Sequence, residues 1–178
     1  SYRIFEKNPD LGGTWYENTY PGARVDTPNY FYCYSFEPAH HWTQYFARQP
    51  ELQKYFEGVA ENHALFDNIQ LNTEVTSAIY DEQSQLWQVS TRDKDGVEQT
   101  HQVGSVISAV GQLNRPKLPD VPGVASFQGQ WCHSAEWDES IDCNGKRVLV
   151  VGAGASAFQI VPSIADQATQ LTVFQRVA

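Results

Sequence analysis

Apolar positions fall into short runs whose spacing alternates between two periods. Tyr2-Arg3-Ile4-Phe5 leads into Glu6 as an opening strand. Ile69–Leu71, Val75–Tyr80, Leu86–Thr91 and Glu98–Val103 are rich in β-branched and aromatic residues and predict further strands. The last two are joined by a turn at Lys94-Asp95-Gly96. The run Val106-Ile107-Ser108-Ala109-Val110-Gly111 predicts a buried strand ending in glycine. Between these, Pro50–Leu65 places Leu52, Tyr55, Phe56, Val59 and Ala60 on one helical face. Aromatic residues are dense from Tyr30 to Phe46, and that density predicts core. Pro116, Pro119 and Pro122 with Gly123 form a linker, which divides the chain into domains at 1–114 and 115–178.

The C-terminal part carries the sharpest pattern. Arg147-Val148-Leu149-Val150-Val151 is an apolar strand, GAGASA follows at 152–157, and Phe158-Gln159-Ile160-Val161 opens an apolar helix. Strand, glycine loop and helix form the context of a dinucleotide-binding turn. Gly152 suits the tight turn, Gly154 permits close approach of a pyrophosphate, and Ala157 permits close helix–strand packing. The helix N-terminus, with Ser156 in its first turn, offers unpaired N–H groups to phosphate. The next strand, Leu171–Phe174, runs into Gln175-Arg176. An NAD site commonly places an acid here, on the ribose hydroxyls. Arg176 instead suits the extra 2′-phosphate of NADP(H), although a solvated surface arginine would look the same.

The 178 residues are 41% apolar and 13% aromatic, enough to form a core, and the net charge is −9 at pH 7. That charge argues against nucleic acid and anionic membrane surfaces as partners. No apolar run reaches the length of a membrane span. Cys33, Cys132 and Cys143 lack paired metal-ligand spacing, so the expectation is reduced thiols, no metal and a cytoplasmic location. His40, His41, His63 and His101 form no constellation and are expected at the surface; His133 is expected to be structural and Trp137 to pack.

The opening strand ends in Glu6, where a second Rossmann strand places the acid that holds adenosine ribose hydroxyls. The glycine turn expected about 20 residues earlier is not in this sequence. The expectation is an α/β chain with two Rossmann-like dinucleotide-binding domains, for FAD and NADP, both incomplete and both cut inside a fold.

Two further segments make the reading specific. Residues 12–26, GGTWYENTYPGARVD, fit GGxWxxxxYPGxxxD, and residues 127–138, FQGQWCHSAEWD, fit FxGxxxHxxxW followed by an acid. Together with GAGASA they resemble the fingerprints of type I Baeyer–Villiger monooxygenases, which are class B flavoproteins. The resemblance implies FAD and NADPH as cofactors, and a ketone and O2 as substrates, converted to an ester or lactone through a flavin peroxide. It also implies that Glu6 holds the FAD ribose, that Gly13, Thr14, Trp15 and Tyr32 lie along the flavin, and that Val75 contacts the adenine side. Asp26 would stand by the nicotinamide as a catalytic carboxylate acting by position and charge, paired with an arginine beyond residue 178. From residue type alone Asp26 could be a loop cap, since aspartate favours turns. N- or S-oxygenating flavoproteins and a non-catalytic dinucleotide-binding remnant are the alternatives. The fragment alone is expected to be inactive, and nothing in the sequence bears on oligomeric state.

Overall fold

The computed structural model describes residues 1–39 and 41–176; His40 therefore lies outside the described residues. The chain divides into two compact units. One comprises Ser1–Gly13 and Gln53–Asn114, the other Thr14–Leu52 and the residues from Arg115 onward.

The first unit is built on an antiparallel sheet in the order β3 (Thr73–Asp81), β4 (Leu86–Asp93), β5 (Glu98–Val103). Alternation of side chains buries Val89 and Thr91 on one face. The β3–β4 register shifts between Val75 and Ser77, a bulge that leaves Thr76 to donate its hydroxyl to the Ser90 carbonyl at 3.2 Å. Both hairpin turns are closed by an aspartate. Asp81 accepts from the Gln83 N–H and the Ser84 hydroxyl, and Asp93 accepts from the N–H groups of Asp95 and Val97. A short parallel pair, β1 (Ile4–Phe5) with β2 (Ile69–Gln70), completes the strands of this unit.

Helix α2 spans Gln49–Asn62, and the division between the units falls inside it. Its predicted face is buried at Leu52, Tyr55, Val59 and Ala60. It stops three residues short of the predicted end. Ala64 takes φ +49°, while Leu65 N–H reaches back to the Ala60 carbonyl and Ala64 N–H to that of Glu61. That is a Schellman closure without the usual glycine.

The second unit holds a parallel pair, β6 (Arg147–Val151) and β7 (Gln170–Phe174), in register from Arg147↔Gln170 to Val151↔Phe174. Helix α3 (Ala155–Ile164) connects them, making a β–α–β unit. The core here is Tyr20, Ala23, Cys143, Ile160 and Ile164, with Trp137, Ile141, Val148 and Leu171 packed against it. Burial pushes the Cys143 thiol above its ordinary pKa, with Asp142 adding to the effect.

Three expectations are corrected. Val106–Gly111 forms no strand, and Ile107 and Val110 are 92% and 74% exposed. A strand is a pairwise structure, and no described residue pairs with this run. The aromatic segment is not core: Tyr30, Phe31, Tyr34, Phe36 and Tyr45 are exposed. It has little regular structure, and its rings meet locally, as in the Tyr34–Phe36 stack at 5.0 Å. His101 is half-buried rather than superficial. Its ring lies 5.0 Å from that of Phe5, and its Nε2 is 3.2 Å from the Thr91 hydroxyl.

Candidate functional site

In the second unit, β6 ends at Val151 and Gly152 takes φ +112°, a conformation that glycine adopts without strain. Its N–H donates to the Phe174 carbonyl at 2.8 Å, which ties the turn to the end of β7. Gly154 follows in extended conformation just before α3, and Ser156 and Ala157 lie in the first helical turn. No side chain caps this helix, and a Cβ built on Gly154 would meet nothing within 4 Å. The first-turn N–H groups therefore have no side-chain cap, which leaves them available to a phosphate. Arg176 is exposed, two residues past β7, at the same C-terminal edge of the strand pair as the glycine turn.

The same unit holds the loop from Thr14 to Asp26. Thr14 opens the short helix α1 (Thr14–Glu17), in which Trp15 is buried. The indole Nε1 donates to the Tyr32 hydroxyl at 3.1 Å, and the two rings meet edge to face at 5.9 Å. The Gln49 side chain donates to the Trp15 carbonyl. At Tyr20-Pro21-Gly22 the loop docks on α3. Gly22 has φ +83°, and a Cβ there would stand 2.7 Å from the Gln159 carbonyl oxygen. Val25 is 2% exposed, whereas Asp26 presents itself to solvent.

Sequence reading missed two residues that shape this loop. Asn29, 1% exposed, donates its amide to the Gln44 carbonyl and accepts from Ala47 N–H at 2.7 Å. Gln159 reaches from α3 to Tyr20 and Arg24. The only sequence signal for either was a polar amide placed among apolar neighbours. In the second fingerprint, His133 Nδ1 accepts from the Ala135 N–H at 3.1 Å and caps a 3-10 turn at Ser134–Glu136. Trp137 packs on the core cluster.

The remaining predicted residues lie in the first unit. Glu6 follows β1; its carboxylate accepts from the Asn8 N–H at 2.8 Å and its carbonyl accepts from Thr73 N–H. Beside it opens a cleft of about 300 Å³ that includes Lys7, Asn8, Asn72 and Glu74. Glu74 is ion-paired with Arg92 at 2.9 Å. Val75 lies on β3 at the bulge, 44% exposed, and Gly13 takes φ +52°. Glu6, Gly13 and Val75 thus belong to one unit, and Thr14, Trp15, Asp26, Tyr32, Gly152, Gly154, Ser156, Ala157 and Arg176 to the other.

Among the described residues no cluster of metal-binding side chains occurs, and no helix is long and apolar enough to cross a membrane.

Comparison with known proteins matches residues 2–177 to the flavin-binding monooxygenase-like family. A Baeyer–Villiger monooxygenase of Pseudomonas aeruginosa is 41% identical over 98% of this chain and 32% of its own length. The cyclohexanone 1,2-monooxygenase of an Acinetobacter species is 38% identical over 99% of this chain and 32% of its own. Among solved structures, OTEMO in complex with FAD and NADP superposes with a TM-score of 0.87 at 38% identity, over 97% of this chain and 33% of that one. Cyclohexanone monooxygenase bound to ε-caprolactone superposes with a TM-score of 0.88 at 37% identity, over 97% of this chain and 34% of that one. The chain thus spans about a third of the length of these relatives.

Proposed function

The chain belongs to the flavin-binding monooxygenase-like family, and we propose that it forms part of a Baeyer–Villiger monooxygenase that uses NADPH, FAD and O2 to convert a ketone into an ester or lactone. The α/β architecture and the similarity to structures holding FAD and NADP agree with this reading. The observation that carries it is the docking of the Asp26 loop on the helix that opens from the glycine turn. Nucleotide-binding and acid-bearing segments thereby belong to one packed unit.

When bound, NADPH supplies the hydride and FAD the redox centre that activates O2. The rest is the protein's contribution. The glycine turn and the N–H groups of Ser156 and Ala157 would hold the NADP pyrophosphate, and Arg176 its 2′-phosphate. In the FAD domain, Glu6 would hold the ribose hydroxyls, with Val75 toward the adenine. Gly13, Thr14, Trp15 and Tyr32 would line the flavin, with the Trp15–Tyr32 bond fixing both rings. Asp26 would act by charge and position beside the nicotinamide. We propose a FAD-binding domain at 1–114 and an NADP-binding part at 115–178. Thr14–Leu52 then belongs to the first by chain order and packs with the second. The cytoplasm is the proposed location, and a small cyclic or linear ketone the proposed substrate class.

The experiment is product analysis of the full-length protein with NADPH, O2 and cyclohexanone, in wild type and Asp26→Ala. Wild type should form the lactone. The variant should retain FAD, lose oxygenation on the order of tenfold to a thousandfold, and release hydrogen peroxide while NADPH oxidation persists in part. Oxygenation of sulfides or amines without any ketone product would overturn the Baeyer–Villiger assignment, as would full lactone yield from Asp26→Ala for that residue.

A further inference from the structure

The segment Ala23-Arg24-Val25 is extended and lies against the stretch around Arg48. Val25 N–H donates to the Ala47 carbonyl at 3.0 Å, and Gln49 N–H donates to the Ala23 carbonyl at 2.9 Å. In such an antiparallel bridge the main-chain groups of the central residue point to the opposite side. Arg24 therefore presents its N–H and C=O away from Arg48. Both are taken by one side chain. Gln159 Oε1 accepts from Arg24 N–H at 3.1 Å, and Gln159 Nε2 donates to the Arg24 carbonyl at 2.9 Å. The same Oε1 also accepts from the Tyr20 hydroxyl at 3.1 Å.

The carboxamide of Gln159 thus substitutes for a neighbouring strand, with donor and acceptor matched to one residue of backbone. Gly22 lets the loop come close enough for this, since a Cβ would press on the Gln159 carbonyl itself. Gln159 lies four residues into α3 from Ala155, about 6 Å along the helix axis from its N-terminal end. Asp26 lies two residues beyond Arg24.

We infer that Gln159 is a positioning residue: its side-chain amide holds the Asp26 loop to the dinucleotide helix, so that Asp26 stands at a fixed place relative to nucleotide seated at the glycine turn. The reactive consequence rests on the proposed Baeyer–Villiger reading; the hold on the loop does not. Glutamine has this reach together with an amide donor and a carbonyl acceptor side by side at neutral pH. Asparagine is a methylene short. Glutamate keeps the acceptor but sets a carboxylate oxygen against the Arg24 carbonyl until it is protonated.

The test uses the full-length protein with three variants: Gln159→Leu, Gln159→Glu and Gln159→Leu combined with Asp26→Ala. Hydrogen exchange reads the loop directly. In Gln159→Leu the Arg24 amide should exchange on the order of tenfold faster, as for a lost hydrogen bond, while NADP+ affinity stays within about twofold. In Gln159→Glu, protection at Arg24 should be weak at pH 8 and return as pH falls and the acid form donates to the Arg24 carbonyl. Lactone formed per NADPH should fall in Gln159→Leu, and the double variant should be no worse than Asp26→Ala alone, because both changes act through one group.

Unchanged exchange at Arg24 in Gln159→Leu would overturn the hold on the loop. Unchanged lactone yield in Gln159→Leu, or losses that simply add in the double variant, would overturn its action through Asp26. If Asp26→Ala alone keeps full lactone yield, the role proposed for Asp26 falls, and with it the catalytic consequence. The exchange at Arg24 then still decides whether Gln159 holds the loop.

Discussion

Gly22→Ala should destabilise the second unit more than any conformational argument alone predicts. Gly22 has φ +83°, and a Cβ there would meet Ser163 Oγ and stand 2.7 Å from the Gln159 carbonyl oxygen. The serine hydroxyl can rotate away. The carbonyl cannot, because it belongs to the backbone of α3. Gly145, in the same unit, supplies the control: its φ is +67°, but a Cβ would meet nothing within 4 Å. Alanine in the left-handed region costs about 1–2 kcal/mol at either position. Forcing an extra carbon into a filled space adds about 1–3 kcal/mol. Gly145→Ala should therefore cost only the first amount and Gly22→Ala the sum. Urea unfolding of the two variants, followed by circular dichroism, measures the difference, with about 1–3 kcal/mol expected between them. Adding Ser163→Ala to Gly22→Ala should recover only part of the loss, since the carbonyl contact persists. Equal costs for Gly22→Ala and Gly145→Ala would refute the close approach of the Tyr20–Gly22 loop to α3, and with it the geometry that lets Gln159 reach Arg24.

Arg176→Ala in the full-length protein should weaken NADPH by about 1.5–3 kcal/mol and leave NADH nearly unchanged; steady-state kinetics with both nucleotides checks this, and an unaltered preference ratio removes the 2′-phosphate assignment. Asn29→Ala leaves Ala47 N–H and the Gln44 carbonyl without their side-chain partner in a buried place, and should cost about 2–4 kcal/mol in urea unfolding. The Ser84 hydroxyl, then the Gln83 N–H, hold the Asp81 carboxyl below its ordinary value of 3.8. A depressed folded pKa contributes stability above the unfolded value and loses it as pH falls through the folded one. The stability gap between wild type and Asp81→Ala should therefore be present at pH 7 and close below about pH 4; a gap independent of pH would refute the ionic origin of that turn's closure.

Much of this protein was legible before any tertiary contact was known. The β6–glycine turn–α3–β7 unit, the hairpins at β3–β5 and the helix at Gln49–Asn62 all follow from patterns confined to a few tens of residues. Local sterics decide them: glycine at a positive φ, branched residues in alternation, apolar residues on one helical face. The predicted site residues of the C-terminal edge, Gly152 through Arg176, lie together for the same reason. What failed locally was the end of α2, where Ala64 occupies a position that glycine usually marks.

Partnership was decided only in three dimensions. Val106–Gly111 has the composition of a strand, but a strand needs a neighbour, and none of the described strands pairs with it. Leu149, Val151 and Phe174 are apolar yet exposed, because the face of the β6–β7 pair that they share has no cover within this unit. The aromatic density from Tyr30 to Phe46 stayed on the surface for want of an element to pack against. Conversely, the bonds from Gln159 to Arg24 join residues 135 positions apart, and no periodicity encodes them. Sequence determined which segments could turn, alternate or coil, because those choices are settled by neighbours along the chain. The folded structure determined which segments meet, because burial and main-chain hydrogen bonding are properties of pairs distant in sequence.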